Sequence, residues 1–119
     1  MSYRMFLDDE RMPAEKDMDM IIVRSFDEAV AYIERHGCPI FISFDHDLCF
    51  EHYGNMPTNE KTGYDLAKWL VLQDVYSEGF IPEGFGFQVH SQNPVGAKNI
   101  QAYLSRYLEL RKTEHKRIQ

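Results

Sequence analysis

Three short apolar segments of the chain are each followed directly by side chains that can bind metal or carry protons. These groups are Asp8-Asp9, Asp45-His46-Asp47 and His90-Ser91. Carboxylates gathered in one place repel each other unless a cation or a proton lies among them. Aspartate oxygens suit Mg²⁺, and a nearby imidazole moves the preference towards Mn²⁺, Fe or Zn²⁺. The pattern therefore predicts a divalent cation, Mg²⁺ or Mn²⁺, if the three segments end side by side. Its predicted ligands are Asp8, Asp9, Asp45 and Asp47.

Two histidines, His46 and His90, lie among these aspartates. An imidazole titrates at a pKa of about 6.5, so at neutral pH one ring can accept a proton while the other donates one. His46 stands between two aspartates, which favour its protonated form. A single histidine at a strand end is more often structural. Two beside one acidic cluster predict a general base and a general acid, in an order that the sequence leaves open.

The predicted phosphate contacts come from the start of the last helix and from one arginine. A helix N-terminus offers free backbone N–H groups and the positive end of the helix dipole, which together attract anions. Gly96 leaves room for a close approach, although helix capping alone also explains Asn93-Pro94. A guanidinium can clamp phosphate oxygens. The candidate substrate-binding residues are Arg11, Ser91, Asn93 and Lys98.

Hydrophobic patterning predicts the strands that must position these groups. β-Branched and aromatic residues are concentrated in four short runs. The predicted strands are Tyr3–Leu7, Met20–Arg24, Pro39–Phe44 and Phe85–Val89. The third is apolar on both alternations, which is typical of a central parallel strand. Parallel strands end at one edge of a sheet, where ligands bind, so the polar groups should meet there.

Three helices alternate with these strands, and each has a recognisable start. Ser25 with Glu28 forms a capping box, Thr62 can cap a second helix, and Asn93 can cap a third. The first should end at Gly37. Leu66, Ala67, Leu70, Val71 and Val75 should form the buried stripe of the second helix. Arg111, Lys112, Lys116 and Arg117 should lie in a solvated basic tail of the third. The fold class is therefore α/β, with a small, mostly parallel four-stranded sheet flanked by helices.

Length and charge restrict the class of protein further. The 119 residues fit a single domain spanning 1–119, and the formal net charge of −6 argues against binding along a nucleic-acid duplex. No apolar run approaches the roughly 18–20 residues of a membrane span. The first residues do not resemble a signal peptide, and Cys38 and Cys49 have neither zinc nor redox spacing. We therefore expect free thiols and a cytoplasmic location.

Four motifs, taken in order, resemble the cyclic-phosphate-processing receiver-like domain family. They are Leu7–Pro13, Ser43–Leu48, Gly63–Asp65 and Val89–Ala97. The resemblance implies a receiver-like, flavodoxin-like fold and an enzyme, derived from response-regulator receivers, that acts on cyclic phosphates of nucleotides or RNA ends. The chain departs from ordinary receivers, because no fifth strand ending in a lysine follows the fourth, and the first connection is too short for a long helix. Lys98 lies instead on the predicted last helix, and the histidines His46 and His90 are additional to the receiver pattern.

These observations favour a metal-assisted phosphoesterase whose partner is a nucleotide or RNA end that carries a cyclic phosphate. A first alternative is a receiver-like switch in which Asp45 accepts a phosphoryl group. A second is a metal- or nucleotide-binding module without turnover. The sequence leaves the substrate, the metal and the oligomeric state open.

Overall fold

The computed structural model describes residues 2–45, 61–90 and 94–118, with side chains up to 113. The strands are β1 (Arg4–Leu7), β2 (Ile21–Val23), β3 (Phe41–Phe44) and β4 (Gly86–Val89). The helices are α1 (Phe26–His36), α2 (Gly63–Tyr76) and α3 (Pro94–Ile118), with a single 3₁₀ turn at Glu15–Asp17. Each strand is one or two residues shorter than predicted. Within these ranges no helix has both the length and the apolar character needed to cross a membrane.

The four strands form one sheet in the order β2-β1-β3-β4, and every neighbouring pair is parallel. This confirms the predicted four-stranded α/β fold and makes the sheet parallel throughout. The register aligns Phe6 of β1 with Ser43 of β3, and Ser43 with Gln88 of β4. These three side chains therefore lie side by side across the sheet, because residues in register point to the same face.

The two faces of the sheet are covered very differently. The connections β2-α1-β3 and β3-α2-β4 both run in the same direction across the sheet, so right-handed crossovers place both helices on one face. The main core lies there, where Met5, Leu7, Ile42 and Phe44 pack against side chains of all three helices. The step from β1 to β2 runs the other way, and its 3₁₀ turn therefore lies over the opposite face. A long helix in this connection is absent, as predicted.

The polar segment over the second face is held by an arginine of β1. Arg4 donates to Asp17 at 3.2 Å and to Asp19 at 2.5 Å. Phe6, two residues further along the same strand, is only 7% exposed. The second face is therefore partly shielded over β1 by a short polar loop, without a helix of its own among the described residues.

The predicted helix starts are confirmed, with one difference at α1. Ser25 Oγ accepts from the Glu28 N–H, whereas the Glu28 carboxylate accepts from the N–H of Arg24 instead of that of Ser25. At α2, Thr62 and Asp65 form a complete reciprocal capping box. The helix α1 ends at Gly37, whose φ of 89° is a conformation that favours glycine. The start of α3 at Pro94 agrees with its prediction, while Asn93 lies outside the described residues.

Two predictions about the outer parts of α2 and α3 are wrong. Val75 is 62% exposed, and the residue buried beside it is Asp74, which is 3% exposed. Asp74 accepts hydrogen bonds from the Tyr107 hydroxyl at 2.6 Å, from Arg111 at 3.1 Å and from the Ile81 N–H at 2.9 Å. Arg111 therefore belongs to a partly buried ion pair between α2 and α3 rather than to a solvated tail. The pair forms because α3 lies against α2, a packing that helical periodicity does not specify.

The thiol of Cys38 is free and partly buried, as expected. Burial, with a smaller contribution from the charge of Asp74, raises its pKa to about 12. The thiol is therefore protonated at neutral pH and unreactive. Cys49 lies outside the described residues.

Candidate metal and phosphate site

The site begins with three residues that each follow a strand directly. The backbone N–H groups of Asp8, Asp45 and His90 donate to the last strand carbonyl of a neighbouring strand, at 3.1, 3.0 and 2.9 Å. The accepting carbonyls belong, in that order, to Val23, Leu7 and Phe44. Each parallel ladder is thereby extended by one residue, which fixes all three side chains at the carboxyl edge of the sheet. The convergence predicted from the strand ends is confirmed for these residues.

These three side chains are close enough to share one ion. Asp8, Asp45 and His90 each offer a ligand atom, and these atoms all lie within 4.8 Å of one another. The two aspartates are buried, with Asp8 fully inaccessible and Asp45 8% exposed. Two buried carboxylates so close together repel each other unless a positive charge compensates them. The two carboxylates form an oxygen donor set that fits Mg²⁺ or Mn²⁺.

Asp8 is held in its ionised form by hydrogen bonds. Its Oδ1 accepts from the backbone N–H groups of Glu10 and Arg11, at 2.9 and 2.8 Å, and its Oδ2 lies 2.9 Å from His90 Nε2. Burial raises the pKa of this carboxyl group. The hydrogen bonds from Arg11, Glu10 and His90 outweigh burial, so that the net pKa is lowered. Asp8 is therefore a carboxylate at neutral pH.

His90 connects Asp8 to a second set of polar groups. Its Nδ1 lies 2.7 Å from Ser43 Oγ, and Gln88 Nε2 donates to the same oxygen at 3.0 Å. The ring stacks on Phe6 with centroids 4.6 Å apart. One assignment satisfies every group: Gln88 donates to Ser43, the Ser43 hydroxyl donates to Nδ1, and the Nε2 proton points to Asp8. In this arrangement both nitrogens of the imidazole are engaged.

Arg24 positions the loop that carries Asp8, and the sequence analysis missed it. Its Nη1 donates to the backbone carbonyls of Asp8 at 3.0 Å and Arg11 at 2.6 Å, and its Nη2 lies 3.1 Å from the sulfur of Met12. The available signal was its position, because Arg24 directly follows β2 and so reaches the same edge as the predicted ligands. The Arg24 guanidinium binds backbone carbonyls, so it shapes the loop without forming an ion pair with the Asp8 carboxylate.

Ser43 and Gln88 were also missed, and both had a recognisable signal. Each is the one hydroxyl- or amide-bearing residue within an otherwise apolar or glycine-containing strand. Ser43 is fully buried, yet its hydroxyl is hydrogen-bonded to Gln88 on β4 and to His90, which directly follows β4. A polar residue in a buried strand indicates a specific partner, because an unsatisfied buried hydroxyl is costly.

Of the remaining predicted residues, three are described by the structure and four are not. Arg11 is exposed beside the cluster, where its Nη1 donates to the His90 carbonyl at 3.3 Å. Asp9 is half-buried next to Asp8 but is not part of the three-residue cluster found among the described residues. Lys98 is exposed on α3. Four predicted residues lie outside the described ranges: His46, Asp47, Ser91 and Asn93.

The family of the chain agrees with this geometry. A family model described as "Cyclic-phosphate processing Receiver domain" matches residues 3–106. The match covers most of the chain, which therefore belongs to the cyclic-phosphate processing receiver domain family. No curated protein and no solved structure matches the chain significantly. The family resemblance of the four motifs is thus confirmed.

Proposed function

We propose that this member of the cyclic-phosphate processing receiver domain family is a metal-assisted phosphoesterase. Its substrate would be a nucleotide or RNA end that carries a cyclic phosphate. The observation that supports the proposal most strongly is the gathering of Asp8, Asp45 and His90 within 4.8 Å at the carboxyl edge of the sheet. The family description supplies the class of substrate.

Asp8 and Asp45 would hold the divalent cation, with the His90 imidazole within reach. The bound cation would polarise the phosphoryl oxygens and lower the pKa of a bound water molecule. Hydrolysis forms one bond from the water oxygen to phosphorus and breaks one ester bond to the ribose oxygen. A base must remove a proton from the water, and an acid must supply one to the leaving oxygen.

His46 and His90 are the residues that we propose for this proton transfer. His90 holds one proton at Nε2 against Asp8, and its Nδ1 can accept another once the Ser43 hydroxyl turns towards a different acceptor. Asp8 and Ser43 also fix the plane of the ring, which keeps each nitrogen in a defined direction. The role proposed for His46 rests on its place between two aspartates in the sequence.

The phosphate oxygens would be bound by Arg11 and by the start of α3. Arg11 already lies beside His90, and its guanidinium is exposed. Ser91, Asn93 and Lys98 belong to the same proposal because they lie within a few residues of Pro94 in the sequence, and the helix dipole favours an anion at the start of α3. Donors aimed at the equatorial oxygens stabilise the charge that develops during phosphoryl transfer.

The test is hydrolysis of 2′,3′-cyclic and 3′,5′-cyclic nucleotides with Mg²⁺, with Mn²⁺ and with EDTA. We expect metal-dependent release of the ring-opened phosphate. Asp45→Asn should abolish turnover, whereas Asp27→Asn on the exposed side of α1 should retain it. Absence of turnover on every cyclic phosphate with either metal would refute the proposal. Turnover that survives loss of both His46 and His90 would refute only the acid and base assignment.

A second candidate function is phosphoryl transfer to Asp45, since this residue directly follows β3 in a chain of the receiver family. Incubation with acetyl phosphate distinguishes the two. A stable adduct on Asp45 without cyclic-phosphate hydrolysis would favour a switch. Nucleotide binding without an adduct or a product would favour a binding module.

A further inference from the structure

A cavity of about 250 Å³ lies on the second face of the sheet, next to the candidate site. One part of its wall is apolar and includes Phe6, Pro13 and Met20. Another part is polar and includes Ser43, Gln88 and His90. The connection between β1 and β2 carries a 3₁₀ turn rather than a long helix, and it shields β1 while Gln88 of β4 stays exposed.

The cavity and the candidate metal site share His90. The ring of this residue lines the cavity, while its Nε2 lies 2.9 Å from Asp8. A ligand whose phosphate reached Asp8 and Asp45 could therefore place its next group in the cavity. Arg11, which also lines the cavity, stands between the two regions and bonds to the His90 carbonyl.

The wall of the cavity has the chemistry that a nucleobase requires. A base has two apolar faces and a rim of hydrogen-bonding groups, and proteins bind it by packing on its faces and bonding to its rim. Phe6, Pro13 and Met20 supply packing surface. Gln88 is exposed, and within the described residues its side chain makes one hydrogen bond, from Nε2 to Ser43, so its amide oxygen is available to a ligand.

We infer that this cavity binds the base of a nucleoside cyclic phosphate and makes the protein prefer base-bearing over base-free cyclic phosphates. This inference rests on the proposed function. It adds a base-binding site on the second face of the sheet to the metal site at the carboxyl edge. A free nucleotide and the last residue of an RNA both present this base next to the cyclic phosphate, so the site accepts either source.

The test compares kcat/KM for three substrates: adenosine 2′,3′-cyclic phosphate, a dinucleotide that ends in a 2′,3′-cyclic phosphate, and glycerol 1,2-cyclic phosphate. The base-bearing substrates should be preferred by about tenfold or more, in line with the contribution of base packing. Ala14 lines the cavity and is exposed, so Ala14→Phe should narrow the cavity and reduce this preference. Ala31→Phe, on the exposed side of α1, is the matched control and should leave it unchanged.

A second pair of variants does not depend on how Ala14→Phe folds. Met12 and Met18 are 53% and 47% exposed on the same connection, but only Met12 is among the residues lining the cavity. Met12→Ala should raise KM for the base-bearing substrates several-fold, whereas Met18→Ala should not. Equal kcat/KM for substrates with and without a base would overturn the inference and leave the proposed function intact.

If no cyclic phosphate is hydrolysed, the proposed function fails and a binding measurement decides the inference separately. Adenosine 5′-monophosphate is titrated while the methyl NMR signal of Met12 and the side-chain amide signal of Gln88 are followed. Saturable shifts of both signals that are lost in Ala14→Phe would support a base site. Unchanged signals would overturn it. Preference for the dinucleotide over the mononucleotide would identify RNA ends as the source of the base.

Discussion

Two buried aspartates, Asp8 and Asp74, show how the same side chain serves a candidate site and a structural contact. Each is almost inaccessible to solvent, and each accepts three hydrogen bonds. Burial raises the pKa of both, and hydrogen bonds lower it further than burial raises it. Both are therefore ionised at neutral pH. The difference lies in what compensates the negative charge.

Asp74 is compensated by a permanent cation. Arg111 donates to the Asp74 carboxylate and to the Ile81 carbonyl, and the Tyr107 hydroxyl of α3 also donates to the Asp74 carboxylate. Within the described ranges, the Asp8 carboxylate pairs with no lysine or arginine side chain, and a second buried carboxylate, Asp45, has an oxygen within 4.8 Å of it. The nearby Arg24 binds backbone carbonyls instead. The negative charge of Asp74 is therefore compensated within the protein, whereas the carboxylates of the edge cluster form a donor set suited to an added cation.

The largest expected effect is on activity. Asp8→Asn should reduce kcat/KM for cyclic-phosphate hydrolysis by at least about 100-fold, because even a residue that only supports a metal ligand costs about 10–100-fold. Asp74→Asn should change the rate per folded molecule by less than about twofold, since Asp74 lies in the α2–α3 contact. Steady-state kinetics with the folded fraction measured by circular dichroism checks both. A comparable loss of rate in the two variants would break the comparison.

The reverse effect is expected on stability. Arg111→Met should lower the free energy of unfolding by about 3 kcal/mol, because it leaves the Asp74 charge buried and unpaired. Asp45→Asn should change it by less than about 1 kcal/mol without metal, because relief of repulsion offsets lost hydrogen bonds. Urea denaturation in EDTA gives both values. A loss in Asp45→Asn as large as in Arg111→Met would mean that the edge cluster is structural.

A smaller effect is expected at Arg24, which acts on the site through the loop. Arg24→Gln should lower kcat/KM by about tenfold, because the loop that carries Asp8 and Arg11 loses its two carbonyl contacts. Arg35→Gln, on the exposed part of α1, is the matched control. A positioning role also predicts weaker binding of Mn²⁺ in Arg24→Gln. Unchanged metal affinity together with reduced activity would indicate a different role for Arg24.

The smallest effect concerns the pH dependence of stability. The pKa of Asp74 is lowered in the folded state, so its ionised form stabilises the protein above its unfolded pKa of about 3.9. This contribution is lost as the pH falls through the folded pKa. The difference in free energy of unfolding between the native protein and Asp74→Asn should therefore shrink as the pH falls from 7 towards 2. A difference that stays constant would show that hydrogen-bond geometry, not charge, sets the contribution of Asp74.

The sequence was sufficient to predict the edge cluster because its residues follow strands directly. An apolar run directly precedes each of Asp8, Asp45 and His90. Parallel strands bring such positions to one edge of the sheet, whatever the order of the strands. The cavity beside Gln88 was not predictable in this way, because it depends on which strands are neighbours and on which face lacks a helix. The Asp74–Arg111 pair depends on the packing of α3 against α2. Such contacts follow from long-range packing rather than from local patterns.

The most direct test of the account is Mn²⁺ binding to the full chain, followed by the paramagnetic broadening of NMR signals. We expect saturation at one Mn²⁺ per chain, with the strongest broadening at Asp8, Asp45 and His90. We also expect that Asp45→Asn loses this binding and that Asp74→Asn keeps it. Broadening centred elsewhere in the fold, or the same saturable binding in Asp45→Asn, would contradict the claim that the carboxyl edge of the sheet is a metal site.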